Sequence, residues 1–361
     1  MGEILLMKGN EALAEAIIRA GTDGYFGYPI TPQSEVVEYL AAAKPHERTG
    51  MVLLQAESEL ASINMLYGAG ATGKKVVTSS SSPGISLMQE GISYIAGAEI
   101  PCLIVNVMRG GPGLGTIQPA QSDYFQTVKG GGHGDYRLIV LAPASVQDMA
   151  DFVPWAYDLA FKYRNPVMIL ADGLIGQMME KVELFDPIPR WSDEYIREHF
   201  GDWATIGKTP DRERNIITSL DLVPERMEAH NKHLQEKYRK IEENETKWEE
   251  FQTEDAEYLL VAYGSSSRIS QKAVQLARAE GIKLGLLRPI TLWPFPKKRL
   301  AELADQVKGM LAVEMSMGQM VEDVKLAVNC RIPVEHYGRV GGMIPSPEEV
   351  VEALKTKIIG G

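Results

Sequence analysis

The chain has 361 residues, 45% hydrophobic and 24% charged, enough for two or perhaps three domains with sizeable cores and ordinary for a globular protein. Its net charge of −11 argues against a nucleic-acid surface, which needs clustered Lys and Arg. Two cysteines, Cys102 and Cys330, without any CxxC pair, exclude a thiolate-held zinc or iron–sulfur centre within the chain.

The N-terminal stretch MGEILLMKGNEALAEA has no basic segment leading into a long apolar core. No window approaches the ~18 uninterrupted apolar residues of a membrane span, so a cytoplasmic protein is expected. From residue 22 onward, short apolar runs alternate with helical patterns. The runs DGYFGY, GMVLLQ, KKVVTSSS, CLIVNVM, RLIVLA and PVMILAD read as strands. Gln33–Ala43, Glu57–Ala71, Gly84–Ala98 and Val146–Tyr163 read as helices between them. Near-continuous apolar strands separated by helices predict a mostly parallel sheet covered on both faces, in a domain over residues 1–185.

Residues 186–255 differ in character. DPIPRW is a proline-rich exit, and PERMEAHNKHLQEKYRKIEENETKWEEF is charged and helical, with Met227, Leu234, Ile241 and Trp248 at sevenfold spacing and Tyr238 beside them. This stretch is either a connecting helix that touches a partner subunit or a solvated linker. A second α/β series, EYLLVAYG, KLGLLRPI, GMLAVEMS and PVEHYG, fills residues 256–361. It closes on SPEEVVEALKTKII, with Ser346 as predicted N-cap and Pro347 in the first helical position. The predicted class is α/β, two doubly wound, mostly parallel-sheet domains.

Several motifs fall at strand ends. GYPITP, residues 27–32, brackets Thr31 with two prolines, which hold the backbone away from helix before each ring. GAGATG, residues 68–73, matches GxGxxG literally but closes a helix and precedes a strand, the reverse of a dinucleotide fingerprint. TSSSSPG, residues 78–84, ends a strand and opens a helix, where hydroxyls and free N–H groups suit a polar cofactor but also serve as plain N-caps. It is not a GxSxG elbow, which argues against a serine hydrolase. MRGGPGLGTIQPAQSDYF places Arg109 directly after a strand; there the planar fork binds a carboxylate or simply faces solvent, and position alone leaves both open. Glu57 and Glu59 lie at a strand-to-helix junction, where the helix macrodipole alone favours acidic residues. His133, in the glycine cluster KGGGHGDYR, has no partner in a metal-ligand spacing and reads as structural.

Taken together, GYPITPQSE, QAESELASINMLYGAGATG, VTSSSSPGISLMQEGISYIAGAEIPCLIVNVMRGGPGLG and GHGDYRLIVLAP resemble the 2-oxoacid:ferredoxin oxidoreductases, which are thiamine diphosphate enzymes. Over essentially its whole length the chain looks like the subunit carrying the pyrimidine-binding and transketolase C-terminal-like domains. MRGGPGLGTIQPAQSDYF with KGGGHGDYRLIVLAPAS is most similar to the 2-oxoisovalerate (3-methyl-2-oxobutanoate) type; 2-oxoglutarate is the alternative substrate.

The resemblance implies that Glu59 contacts ring N1′ of the aminopyrimidine and favours the imino tautomer, whose nitrogen takes the proton from the thiazolium carbon. That role needs a buried carboxyl able to share a proton. It implies that Thr31 and Arg109 hold the 2-oxoacid, that Leu114 and Gly115 shape its side-chain pocket, and that Pro29, Ile30, Ser81 and Ser82 join Thr31 and Glu59 around the cofactor. Glu57 is expected to be structural. The family's GDG motif for diphosphate and Mg²⁺ is not matched, because ADGLIG at residues 171–176 falls at the wrong place in the domain and lacks the following Asn. The thiamine diphosphate is therefore expected to be shared with a diphosphate-binding subunit, which carries the Mg²⁺. The [4Fe-4S] clusters are expected on a ferredoxin-like subunit, beside a gamma-type subunit, with coenzyme A as co-substrate and external ferredoxin as acceptor. A non-catalytic assembly subunit is the rival expectation.

Overall fold

The computed structural model describes residues 3–208, 210 and 212–360. In chain order come β1 (Glu3–Lys8), α1 (Gly9–Arg19), β2 (Gly24–Gly27), α2 (Ser34–Ala43), α3 (Pro45–Thr49), β3 (Val52–Gln55), α4 (Glu59–Gly70), β4 (Val76–Ser80), α5 (Ser82–Gly97) and β5 (Cys102–Met108). A long irregular segment then leads to β6 (Ile139–Leu141), α6 (Val146–Tyr163), β7 (Pro166–Asp172), α7 (Gly173–Gln177) and β8 (Met179–Leu184). After α8 (Asp193–Phe200) and α9 (Pro224–Asn244) come β9 (Trp248–Phe251), β10 (Tyr258–Ala262), α10 (Gly264–Ala279), β11 (Leu284–Pro289), β12 (Thr291–Trp293), α11 (Lys297–Leu303), β13 (Met310–Glu314), α12 (Met320–Val328), β14 (Val334–Gly338) and α13 (Pro347–Leu354).

The first sheet has seven strands in the order β12-β6-β7-β5-β4-β2-β3, parallel except at β12. Its central strands β4, β5 and β7 are buried at every residue, as a sheet covered on both faces requires. One helical layer is α1 packed on α2 and α6; α4 packs on α5. The second sheet runs β14-β13-β10-β11-β9, parallel except at β9. Both sheets are mostly parallel α/β, and α13 opens on the predicted N-cap Ser346 with Pro347 in its first turn, Glu349 completing a capping box.

Four elements depart from expectation. β1 and β8 form an antiparallel two-stranded ribbon of their own. The charged helix stops at Asn244, and Trp248 lies on strand β9, paired to Pro289. The stripe on α9 packs on this chain: Leu234 and Ile241 are buried and the Tyr238 ring meets Trp293 at 5.7 Å, so it is no solvated linker. β12 leaves the second series to pair with β6 of the first sheet, so the KLGLLRPI region feeds strands to both sheets. Among the described residues, no helix is long and apolar enough to cross a membrane.

Candidate functional site

The functional candidates gather at the carboxyl edge of the first sheet, where each parallel strand hands over to a loop or helix. β2 runs into the loop Tyr28–Gln33, which is held from behind through its backbone. Asn10 Nδ2 and Gln177 Nε2 donate to the Pro32 carbonyl at 2.7 and 2.9 Å, and an η-nitrogen of Arg109 donates to the Thr31 carbonyl at 3.0 Å. Gln33 accepts from Ser79 Oγ at 2.6 Å, and Ser79 in turn meets the Tyr25 hydroxyl at 2.7 Å. Thr31 itself is exposed, its hydroxyl without a hydrogen bond among the described residues, while Pro29 is exposed and Ile30 half-buried. A fixed backbone with a free side chain is what a positioning loop needs.

Glu59 opens α4. Ser58 caps the helix, its Oγ accepting from the Ala61 N–H at 3.2 Å, so Glu59 stands in the first turn where the macrodipole favours its charge. The residue is only 7% exposed, yet its carboxyl has no hydrogen bond or ion pair among the described residues. The reason it fits is a seam between α4 and α5. A Cβ built on Gly84 would lie 2.6 Å from Glu59 Oε1, and one on Gly91 would lie 2.6 Å from Ile63. Two glycines seven apart on α5 thus receive two side chains four apart on α4. Glu57, by contrast, is exposed.

The serine run between β4 and α5 splits into two fates. Ser82 Oγ donates to Asp123 at 2.6 Å and accepts from the Arg109 N–H at 3.0 Å, while Asn106 donates to Asp123 at 2.9 Å and accepts from the Ser82 N–H at 3.1 Å. Burial raises the Asp123 carboxyl above its ordinary range, against the lowering effect of those two hydrogen bonds. Thr78 Oγ1, Ser80 Oγ and Ser81 Oγ are buried with no partner. Buried hydroxyls without partners are uncommon, and three fall at this one strand end.

Arg109 is 6% exposed and forms a clamp: its other η-nitrogen donates to the Leu114 carbonyl at 3.0 Å, and its Nε is buried without a partner. It joins the Thr31 loop to the following hairpin, where Thr116 N–H bonds the Gly110 carbonyl at 2.9 Å. Gly115 takes φ +63° there, and a Cβ on it would lie 1.8 Å from the Gly110 oxygen, so only glycine closes this turn. Leu114 sits on the tip, 79% exposed. Beside the hairpin a cleft of about 520 Å³ opens between the two sheets, lined by Ser82, Gly111, Asp123, Ser316, Met317 and Gly341.

Thr31, Arg109 and Ser82 are therefore joined by direct hydrogen bonds, and Ser80, Ser81 and Glu59 adjoin them around Gly84. His133 lies apart, exposed on the loop before β6 with its carbonyl bonded by Ser93 at 2.7 Å. Asp172 of ADGLIG is used internally: it caps α7 through the Leu174 and Ile175 N–H groups and accepts from the Ser265 N–H at 2.8 Å and the Ser265 hydroxyl. Burial raises its carboxyl above the ordinary range, with the hydrogen bonds from Ser265 lowering it in part. Sequence reasoning missed Asn10, Gln33, Gln177 and Asp123, polar residues whose only signal is the place the fold brings them to.

A family model described as pyruvate flavodoxin/ferredoxin oxidoreductase, thiamine diphosphate-binding, matches residues 15–250, and one for pyruvate:ferredoxin oxidoreductase core domain II matches 256–350. The chain is 51% identical to the ketoisovalerate oxidoreductase subunit VorB of Methanothermobacter thermautotrophicus, covering 97% of each chain. It is 36% identical to the 2-oxoglutarate synthase subunit KorA of Methanocaldococcus jannaschii, over 98% of this chain and 99% of that one. Among solved structures it is similar to a 2-oxoglutarate:ferredoxin oxidoreductase from Magnetococcus marinus with 2-oxoglutarate, coenzyme A and succinyl-CoA bound. That match has a TM-score of 0.85 at 29% identity and covers 99% of this chain and 66% of that one. A split-gene transketolase, an inactive β4 tetramer, shares the fold at a TM-score of 0.60 and 15% identity.

Proposed function

The chain belongs to the 2-oxoacid:ferredoxin oxidoreductase family, and from that membership we propose that it presents the aminopyrimidine half of a shared thiamine diphosphate site. The reaction is oxidative decarboxylation of a branched-chain 2-oxoacid to an acyl-CoA and CO₂, in a cytoplasmic complex that passes electrons to ferredoxin. The observation that carries this is Glu59, a residue only 7% exposed whose carboxyl has no partner among the described residues, at the carboxyl edge of a parallel sheet.

Bound thiamine diphosphate would supply the electron sink that decarboxylation of a 2-oxoacid requires. The chain's own residues do the rest. Glu59 shares a proton with the pyrimidine ring nitrogen. Ser82 lines the cleft at the N-terminus of α5, and Ser81 beside it and the loop Pro29–Thr31 would complete the surroundings of the ring. Thr31 offers its hydroxyl to the 2-oxoacid, and Arg109, its η-nitrogens each still holding an N–H beyond the clamp, faces the substrate carboxylate. Leu114 and Gly115 form the wall met by the substrate side chain.

The exposed apolar residues Leu54, Leu60, Met65 and Leu87 on β3, α4 and α5 flank this edge and fit a partner subunit packed over it. That partner would carry the diphosphate and Mg²⁺; gamma-type and ferredoxin-like subunits, the latter with [4Fe-4S] clusters, would complete the complex. The branched-chain assignment follows the 51% identical relative, and 2-oxoglutarate, named for the relative at 36%, is the second reading.

The test is viologen reduction by the co-expressed complex on a 2-oxoacid panel. A kcat/KM for 3-methyl-2-oxobutanoate about 10-fold or more above that for 2-oxoglutarate is expected; each such factor corresponds to ~1.4 kcal/mol. The reverse order selects the second reading. Glu59→Gln is expected to lower kcat by about 100-fold or more, within the range for a lost general acid–base group, and near-normal turnover would leave an assembly subunit.

A further inference from the structure

The seam between α4 and α5 holds two groups, the Ser80 hydroxyl and the Glu59 carboxyl, that border one space. A Cβ on Gly84 would lie 2.1 Å from Ser80 Oγ and 2.6 Å from Glu59 Oε1. The serine hydroxyl and the glutamate carboxyl thus approach the same small space, which the missing side chain leaves open. Ser80 is completely buried and its Oγ has no hydrogen-bond partner. Glu59 is nearly as buried and also lacks one.

Burying a hydroxyl unpaired is unfavourable, and alanine would fill the position without that penalty. A serine kept there calls for a partner in the working state. A carboxyl that turns one oxygen toward a ligand's ring nitrogen leaves its second oxygen free to accept, and the buried, unpaired Ser80 hydroxyl borders the same space over Gly84.

We infer that Ser80 is a positioning residue for Glu59, its hydroxyl donating to the carboxyl oxygen that faces away from the ligand, in a space that Gly84 keeps clear. The inference rests on the proposed role of Glu59. It assigns Gly84 a purpose distinct from that of Gly91, which faces Ile63 on the same seam. Gly91 serves only the approach of the helices; Gly84 serves the approach and the orientation of the acid.

The experiment compares Ser80→Ala, Ser80→Thr, Gly84→Ala and Gly91→Ala in the co-expressed complex. Four readouts are taken: kcat, thiamine diphosphate affinity by titration of the apo-complex, near-ultraviolet circular dichroism of the bound cofactor, and the melting curve. Ser80→Ala should lower kcat about 10-fold, the scale of one lost hydrogen bond to a charged group, and change the cofactor's dichroism. Its melting temperature should hold or rise. Ser80→Thr, which keeps the hydroxyl, should restore both kcat and dichroism. Gly84→Ala should lose the dichroic signature as well as stability, whereas Gly91→Ala should lose stability alone.

Wild-type kcat and dichroism in Ser80→Ala, while Glu59→Gln is inactive, would overturn the inference and leave the proposed function standing. An active Glu59→Gln would bring down both. Parallel loss of activity and melting temperature in Ser80→Ala without rescue by threonine would make Ser80 structural and also overturn it. If Gly84→Ala does not fold, the Ser80 pair still decides.

Discussion

Two serine runs stand at carboxyl ends of parallel strands, one in each sheet, and they differ in what their hydroxyls meet. After β10, Ser265 bonds Asp172, Ser266 bonds Gln121 at 2.7 Å and Ser267 bonds the Gly264 carbonyl at 2.7 Å. At the end of β4, the Ser79 and Ser82 hydroxyls are paired, but among the described residues the hydroxyls of Ser80 and Ser81 meet no partner, and Thr78 Oγ1 within the strand is equally unpaired. The acids repeat the contrast. Glu314 at the end of β13 is fully buried and accepts from the N–H groups of Gln319, Met320 and Val321 and from Ser316 Oγ. Glu59 accepts from none. One edge is closed on itself and locks the two sheets together; the other leaves several of its polar groups, Thr78, Ser80, Ser81 and Glu59, uncommitted.

The largest way to break this comparison is to remove the two acids in turn. Glu314→Ala strands several buried N–H groups, each worth ~1–3 kcal/mol, and should lower stability by about 3 kcal/mol or more in chemical denaturation. Glu59→Ala should leave the denaturation midpoint unchanged or raised. Equal losses would erase the distinction between the edges. A smaller contrast comes from the serines. Ser265→Ala should cost about 1–3 kcal/mol, since it leaves buried Asp172 short of a donor, and Ser81→Ala should lie within ~0.5 kcal/mol of the parent.

The smallest effect is in acid. The Arg299 guanidinium holds the Glu250 carboxyl down to about 2, against partial burial and with help from Thr253 and Trp248. Its folded value lies below the ordinary 4.5, so the stabilisation is fully present above pH 4.5 and is lost as pH falls toward 2. The pair is partly solvated and salt-screened, so the contribution stays below about 1 kcal/mol. Arg299→Met should flatten that part of the stability–pH curve, and an unchanged slope would show that the Glu250–Arg299 pair contributes nothing to the stability of the second sheet.

Much of this was legible in the residues. Buried parallel strands announce themselves as apolar runs, and the turns after them carried Thr31, Glu59, Ser81, Ser82 and Arg109 because that is where side chains can face a ligand. What escaped was set by partners distant in sequence. β12 is three residues long and finds its ladder at Leu141, 150 positions earlier. Trp248 kept a sevenfold spacing that a strand accommodates as easily as a helix. Arg109 looked free to fork onto a carboxylate, but its two carbonyl contacts appear only once the Thr31 loop and the Leu114 hairpin are brought beside it. The glycines at 84 and 91 were visible; what fills the space over them was not.

The crossing of β12 has a consequence for modularity. The boundary between the two family models falls between residues 250 and 256, yet β9, on the early side, belongs to the second sheet, and β12, on the late side, belongs to the first. Each half lends the other an edge strand, as in a reciprocal exchange between neighbours. A chain cut at that boundary would yield two pieces that each expose an unpaired sheet edge, so neither is a free-standing part. The molecule must be engineered as one body.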